Sequence, residues 1–177
     1  MSRELSLSRS FVVSTVKALA DAHIMSDGNL ATFMESITKE FGELKVLGSG
    51  ASRRVYELPC GLVLKVAVKN YNDHDQNEVE YKTQKLYPKD VSKVYLWICD
   101  KSKKFPHFRL PDNKTPINII VARQAEVFGD IPKKYEARLK YLQEKFSDVC
   151  SYNVGLVNKR LLLIDAGLGT VNYELGG

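Results

Sequence analysis

Apolar residues recur along the first forty positions at helical spacing. Val12, Val16 and Leu19 lie four and three apart, and Leu30, Phe33, Met34, Ile37 and Phe41 keep a second apolar stripe on one face. Ser8 and Ser10 stand at the start of the first run and Asn29 before the second, all residue types that cap helices. Gly42 supplies the left-handed residue that closes one. Two packing helices are expected. Beyond Gly42 the period drops to two. Leu44 and Val46 alternate with charged residues, the runs 54–58 and 62–68 follow, and Pro59-Cys60-Gly61 is a turn between them. The pattern predicts three consecutive antiparallel strands. A polar, helix-compatible stretch over 73–86 ends at Pro88, and residues 94–99 and 117–122 read as two more strands. Asp130 and Pro132 open a helix carrying Tyr135, Leu139, Leu142 and Phe146 on one face. A hairpin over 153–156 and 161–164, turned at Asn158-Lys159, completes an α+β order.

Length and composition narrow the class. A chain of 177 residues suits about one domain. Apolar residues at 44% against 27% charged exclude wholesale disorder. The longest apolar runs, such as 161–164, fall far short of the ~20 residues of a membrane span, so no membrane association is expected. The net charge of +5 is mild. Its densest basic stretch, Lys101, Lys103, Lys104, Arg109 and Lys114, is broken by Pro106, Pro111 and Asp112. That reads more readily as a solvated loop than as a nucleic-acid surface. Cys60, Cys99 and Cys150 are odd in number and form no C-x-x-C pair, as expected of reduced thiols. With no leader pattern at the N-terminus, a cytoplasmic location is the expectation.

Several residues carry candidate chemistry. Gly48-Ser49-Gly50 lies between two strands, unlike a dinucleotide fingerprint or P-loop, which leads from strand to helix. Glycines in such a hairpin let backbone N–H groups approach phosphate oxygens, although a tight hairpin without ligand uses the same residues. Lys65 stands in an apolar strand and by alternation shares a face with Val63 and Ala67. An inward lysine is costly unless it is paired or serves an anion, the alternative being an edge-strand position. Glu78 and Glu80 follow in a helical stretch. Farther on, Asp148 and Asn153 have the spacing Asp-x4-Asn, and Asp165-Ala166-Gly167 follows the apolar run 161–164. Singly, these last three have bland readings as a helix end, a turn and a loop carboxylate. Five features in this order are more specific.

In that order they resemble the protein kinases, whose glycine-rich hairpin, strand lysine, helix glutamate, catalytic-loop Asp-x4-Asn and D-F-G follow the same sequence. The segments GSGASRRVYELPCGLVLKVAV, QNEVE and SDVCSYNVGLVNKRLLLIDAG are similar to short kinase-like proteins of bacterial viruses and bacteria, over residues 44–169. The resemblance implies a protein-kinase-like fold: a five-stranded antiparallel N-lobe sheet with one helix, and a reduced C-lobe of one helix and a catalytic hairpin. N-terminal helices over 1–42 would form an extension to a minimal kinase-like domain over 43–177. It further implies ATP and Mg²⁺ as cofactors. Gly48, Ser49, Gly50 and Val55 would cover the nucleotide, and Arg123, Gln124 and Ala125 would supply the backbone groups for adenine. Lys65 would bind phosphate and Glu78 would orient it. Glu78 is preferred to Glu80 because Asn77-Glu78 matches the family wording better, and residues two apart sit about 200° around a helix. Asp148 would serve as base, with Asn153 and Asp165 holding the metal.

The departures are specific. Arg53 replaces the third glycine of G-x-G-x-x-G, Ala166 replaces the Phe of D-F-G, and Phe146-Ser147 stand where His-Arg would precede Asp148. Cys150 takes the place of a lysine that supports the γ-phosphate, and no A-P-E follows Gly167. The expected function is ATP-dependent phosphorylation of Ser or Thr on a cellular or bacterial-host protein, in the host cytoplasm if the chain is viral. The alternative is a truncated kinase-fold protein that acts by contacting and inhibiting a partner.

Overall fold

The computed structural model describes residues 9–50, 53–67, 76–100, 117–147 and 149–166. The basic loop over 101–116, Ala51-Ser52, Asp148 and the tail from Gly167 lie outside the described residues. The chain divides into two compact units. The first comprises Met1–Lys69 and Tyr95–Ala122, the second Asn70–Val94 and Arg123–Gly177.

The first unit contains α1 (Arg9–Met25), α2 (Leu30–Phe41), β1 (Val46–Ser49), β2 (Arg53–Leu58), β3 (Leu62–Ala67), most of β4 (Val94–Cys99) and most of β5 (Asn118–Arg123). The strands form a five-stranded antiparallel sheet in the order β1-β2-β3-β5-β4. Helix α2 starts as its sequence requires: the Asn29 side chain accepts from the amides of Ala31 and Thr32, at 2.9 and 3.4 Å. Gly42, at φ 80°, ends it by donating its N–H to the Thr38 carbonyl. A 3₁₀ turn, Pro59–Gly61, joins β2 to β3, with Cys60 and Gly61 both at positive φ.

Alternation along β3 divides its side chains between two faces. Leu62, Leu64 and Val66 join Ile117, Ile119 and Val121 in a core completed by Val12, Leu19 and Ala22 of α1 and by Phe33 and Ile37 of α2. Apart from Ala22, each such side chain contributes about 1.5–3 kcal/mol by leaving water. The N-terminal helices expected as an extension therefore share the core of the sheet, because their apolar stripes need a partner and the sheet supplies one. His23 near the end of α1 adds a polar link, its Nε2 lying 2.9 Å from both carboxylate oxygens of Asp100 beyond β4.

The second unit contains α3 (Gln76–Leu86), a 3₁₀ turn at Lys133–Tyr135 running into α4 (Glu136–Lys145), and the hairpin of β6 (Val154–Val157) and β7 (Arg160–Leu163). The helix expected to open at Asp130 and Pro132 thus begins with a tighter turn. Its core gathers Val91, Leu142, Phe146, Val154, Leu161, Leu163 and Ala166. Residues 90–92 run parallel to β7, with the Leu163 amide donating to Asp90 O and the Ser92 amide to Leu163 O. The hairpin turns at Asn158 and Lys159, both at positive φ as a tight two-residue turn demands. Among the described residues, no helix is long and apolar enough to cross a membrane.

Candidate functional site

In the first unit the candidate residues fall into one row. Gly48 of β1 pairs with Val55 of β2, and Val55 pairs with Lys65 of β3. The register Arg53↔Ala67 and Glu57↔Val63 puts Arg53, Val55, Glu57, Val63, Lys65 and Ala67 on one face, opposite the helix-covered core. Lys65 therefore shares its face with Val63 and Ala67, as alternation requires. It is 6% exposed, and Arg53, a diagonal neighbour, is 5% exposed. In the sequence Arg53 stands out only as a departure from the glycine pattern. The two-residue period of β2 carried the missing signal, since Arg53 and Val55 must point the same way. Ser49 pairs with Arg54, and the Gly50 amide donates to the Arg53 carbonyl at 2.9 Å, closing the hairpin.

In the second unit the two helix glutamates differ sharply. Glu78 is half-buried and pairs with Lys82 one turn on, at 2.6 Å. That hydrogen bond holds the Lys82 ammonium above its ordinary pKa. Glu80 is 1% exposed. A carboxylate that deep in the protein requires specific polar partners.

Asn153 and Asp165 come together. The Asn153 carbonyl accepts from the amides of Ile164, at 2.8 Å, and of Asp165, at 3.3 Å. The base of the hairpin thus joins the two positions across twelve residues of chain. Asn153 is buried and Asp165 half-exposed, and Ala166 beside it is wholly buried in the core of this unit. An amide oxygen and a carboxylate are hard donors of the kind Mg²⁺ takes, so this pair fits the metal implied by the resemblance. Among the described residues, no group of three His, Cys, Asp or Glu side chains could hold a metal. Asp148 lies outside them.

The segment after β5 is anchored at both ends. The Arg123 amide donates to Lys93 O and its carbonyl accepts from Ser92 Oγ, while its guanidinium reaches Asn158 Oδ1 at 3.0 Å. The Arg123 N–H is thereby engaged, and its carbonyl keeps a second lone pair. Glu126 exchanges two backbone hydrogen bonds with Leu156 of β6. Between these anchors lie Gln124 and Ala125, and Ala125 makes no hydrogen bond to another described residue.

A charged cluster that sequence reading missed braces the same unit. Asp90 receives Arg138 Nη2 at 2.8 Å and Lys145 Nζ at 2.6 Å. Burial alone would push its carboxyl up, but the hydrogen bonds and charges of Lys145 and Arg138 outweigh it and hold the group below the ordinary carboxylate value. The Asp90 hydrogen bond chiefly raises Lys145, against a smaller effect of burial.

No family model and no curated protein matches the chain.

Proposed function

We propose that the protein is an ATP- and Mg²⁺-dependent phosphotransferase of the protein-kinase-like class, acting on a protein Ser or Thr. The observation that carries the reading is the row Gly48–Val55–Lys65, in which a buried lysine and a buried arginine share the sheet face next to a glycine hairpin. Two buried cations on one face suit a polyphosphate better than an apolar ligand. The strand order β1-β2-β3-β5-β4 and the junction of Asn153 with Asp165 support the same reading.

In this reading Lys65 and Arg53 bind phosphate oxygens. Asn153 and Asp165 hold Mg²⁺, which supplies charge neutralisation for the transferring phosphoryl group. Asp148 takes the proton of the attacking hydroxyl. Ala125, whose backbone bonds to no other described residue, offers a donor and an acceptor for adenine, with Gln124 beside it. The family's helix-glutamate role fits buried Glu80 better than Glu78, which is engaged with Lys82. The test is incubation of the full chain with labelled ATP and Mg²⁺, with and without bacterial lysate. Transfer of label that is lost in Asp165→Asn supports the enzyme. Absence of any transfer, together with no thermal shift from Mg·ATP, overturns it in favour of a partner-binding kinase-fold protein.

A further inference from the structure

We propose that a second anion site lies at the far end of the β6–β7 hairpin and takes a phosphoryl group. A cleft of about 280 Å³ opens there, lined by Tyr135, Arg138, Lys159, Arg160 and Leu161. Its walls are cationic by construction. Arg138 and Arg160 each direct Nη2 at one acceptor, the Lys89 carbonyl, at 3.3 and 3.2 Å, which holds the two guanidinium groups side by side.

The carboxylate that answers Arg138 is Asp90, and Asp90 also serves Lys145, so one negative charge is shared by two positive ones. Arg160 and Lys159 add two more cations, and the ring of Tyr135, which also lines the cleft, carries the Lys134 ammonium at 5.0 Å from its centroid. Adjacent like charges repel, and a doubly charged tetrahedral anion relieves that repulsion while matching the forked donors of arginine. The site is also pre-organised. Lys159 belongs to a tight turn with φ of 62°, Arg160 is tied to Lys89 O, and Arg138 is fixed by Asp90 and by Leu161 O at 3.2 Å. None of these residues belongs to the proposed nucleotide site, so the inference stands apart from that reading.

The phosphoryl group has two sources, a phosphorylated protein side chain or free orthophosphate. Calorimetric titration of the full chain at low salt and without Mg²⁺ separates them, using a phosphoserine hexapeptide, its unphosphorylated counterpart and orthophosphate as probes. Lys159→Gln/Arg160→Gln is the test variant, since both residues are exposed. Lys140→Gln, an exposed lysine elsewhere on α4, is the control. A phosphorylated probe should bind, and the double variant should weaken it by about tenfold or more, as expected for two lost charge-assisted contacts. The control should change it by less than about twofold, the effect of a surface charge outside the site. Tighter binding of the phosphopeptide than of orthophosphate assigns the site to phosphorylated chain, and equal binding assigns it to the free ion. No binding of either, equal binding of the unphosphorylated peptide, or equal weakening by Lys140→Gln overturns the proposal.

Discussion

Gly155 and Ala125 meet so closely that a Cβ at position 155 would stand 2.8 Å from the Ala125 Cβ and 3.0 Å from the Glu126 carbonyl oxygen. The glycine on β6 is what lets the segment after β5 lie against the hairpin and exchange hydrogen bonds between Glu126 and Leu156. Gly155→Ala should therefore destabilise the protein by about 1–3 kcal/mol, the usual cost of overpacking. Ala125→Gly added to it should recover part of the loss, and a thermal melt of the three variants measures both. An unchanged melting temperature in Gly155→Ala would mean that the segment is free to move away.

If the chain is the phosphotransferase proposed above, Mg·ATP should raise its melting temperature and Asp165→Asn should remove most of that shift, because a ligand that binds only the folded state stabilises it by an amount that grows with the logarithm of its affinity. Asn153→Ala should weaken it as well. Asp148→Asn should keep the shift and lose transfer by about 10²–10⁴-fold, the usual worth of a positioned base. Fluorimetry and a label-transfer assay on the same preparations compare the three.

Glu80→Gln should lower the melting temperature and the nucleotide-dependent activity more than Glu78→Gln. Glu80 is buried, whereas the Glu78–Lys82 pair at the helix surface is screened by solvent. The reverse order in a paired melt and assay would restore the role to Glu78.

Asp90 makes stability depend on pH in a stated direction. Its carboxyl is held below 3.8 in the folded protein, so its contribution is complete above that value and is lost as pH falls through the lower, folded one. Asp90→Asn should flatten the acid limb of a plot of melting temperature against pH below about 4, while lowering stability at pH 7. Lys145, raised above 10.5, acts at the other end: its contribution is full below that value and is lost as pH climbs through the higher folded one.

Much of the fold is written in local pattern. The span 62–67 reads as a strand because its alternation is real in three dimensions, with Leu62, Leu64 and Val66 on one face and Val63 and Lys65 on the other. Asn29 and Gly42 mark the ends of α2 because capping chemistry acts within a few residues. What escaped depends on distance or on helix rotation. Asp90 meets Arg138 and Lys145 across some fifty residues, and nothing in a polar helix distinguishes a bracing arginine from a solvated one. The choice between Glu78 and Glu80 turns on which way α3 is rotated, and its polar sequence leaves that rotation open. The stripes of α1 and α2 announce that they must be covered without naming the sheet as the cover.

That shared cover makes the first forty residues part of the fold's solubility. A chain begun at residue 43 would present Leu58, Leu62, Leu64, Val66, Ile117, Ile119 and Val121 as one continuous greasy slab to solvent. Such a fragment would assemble with itself through the bared sheet, so trimming the helices away would yield aggregates rather than a smaller version of the same protein.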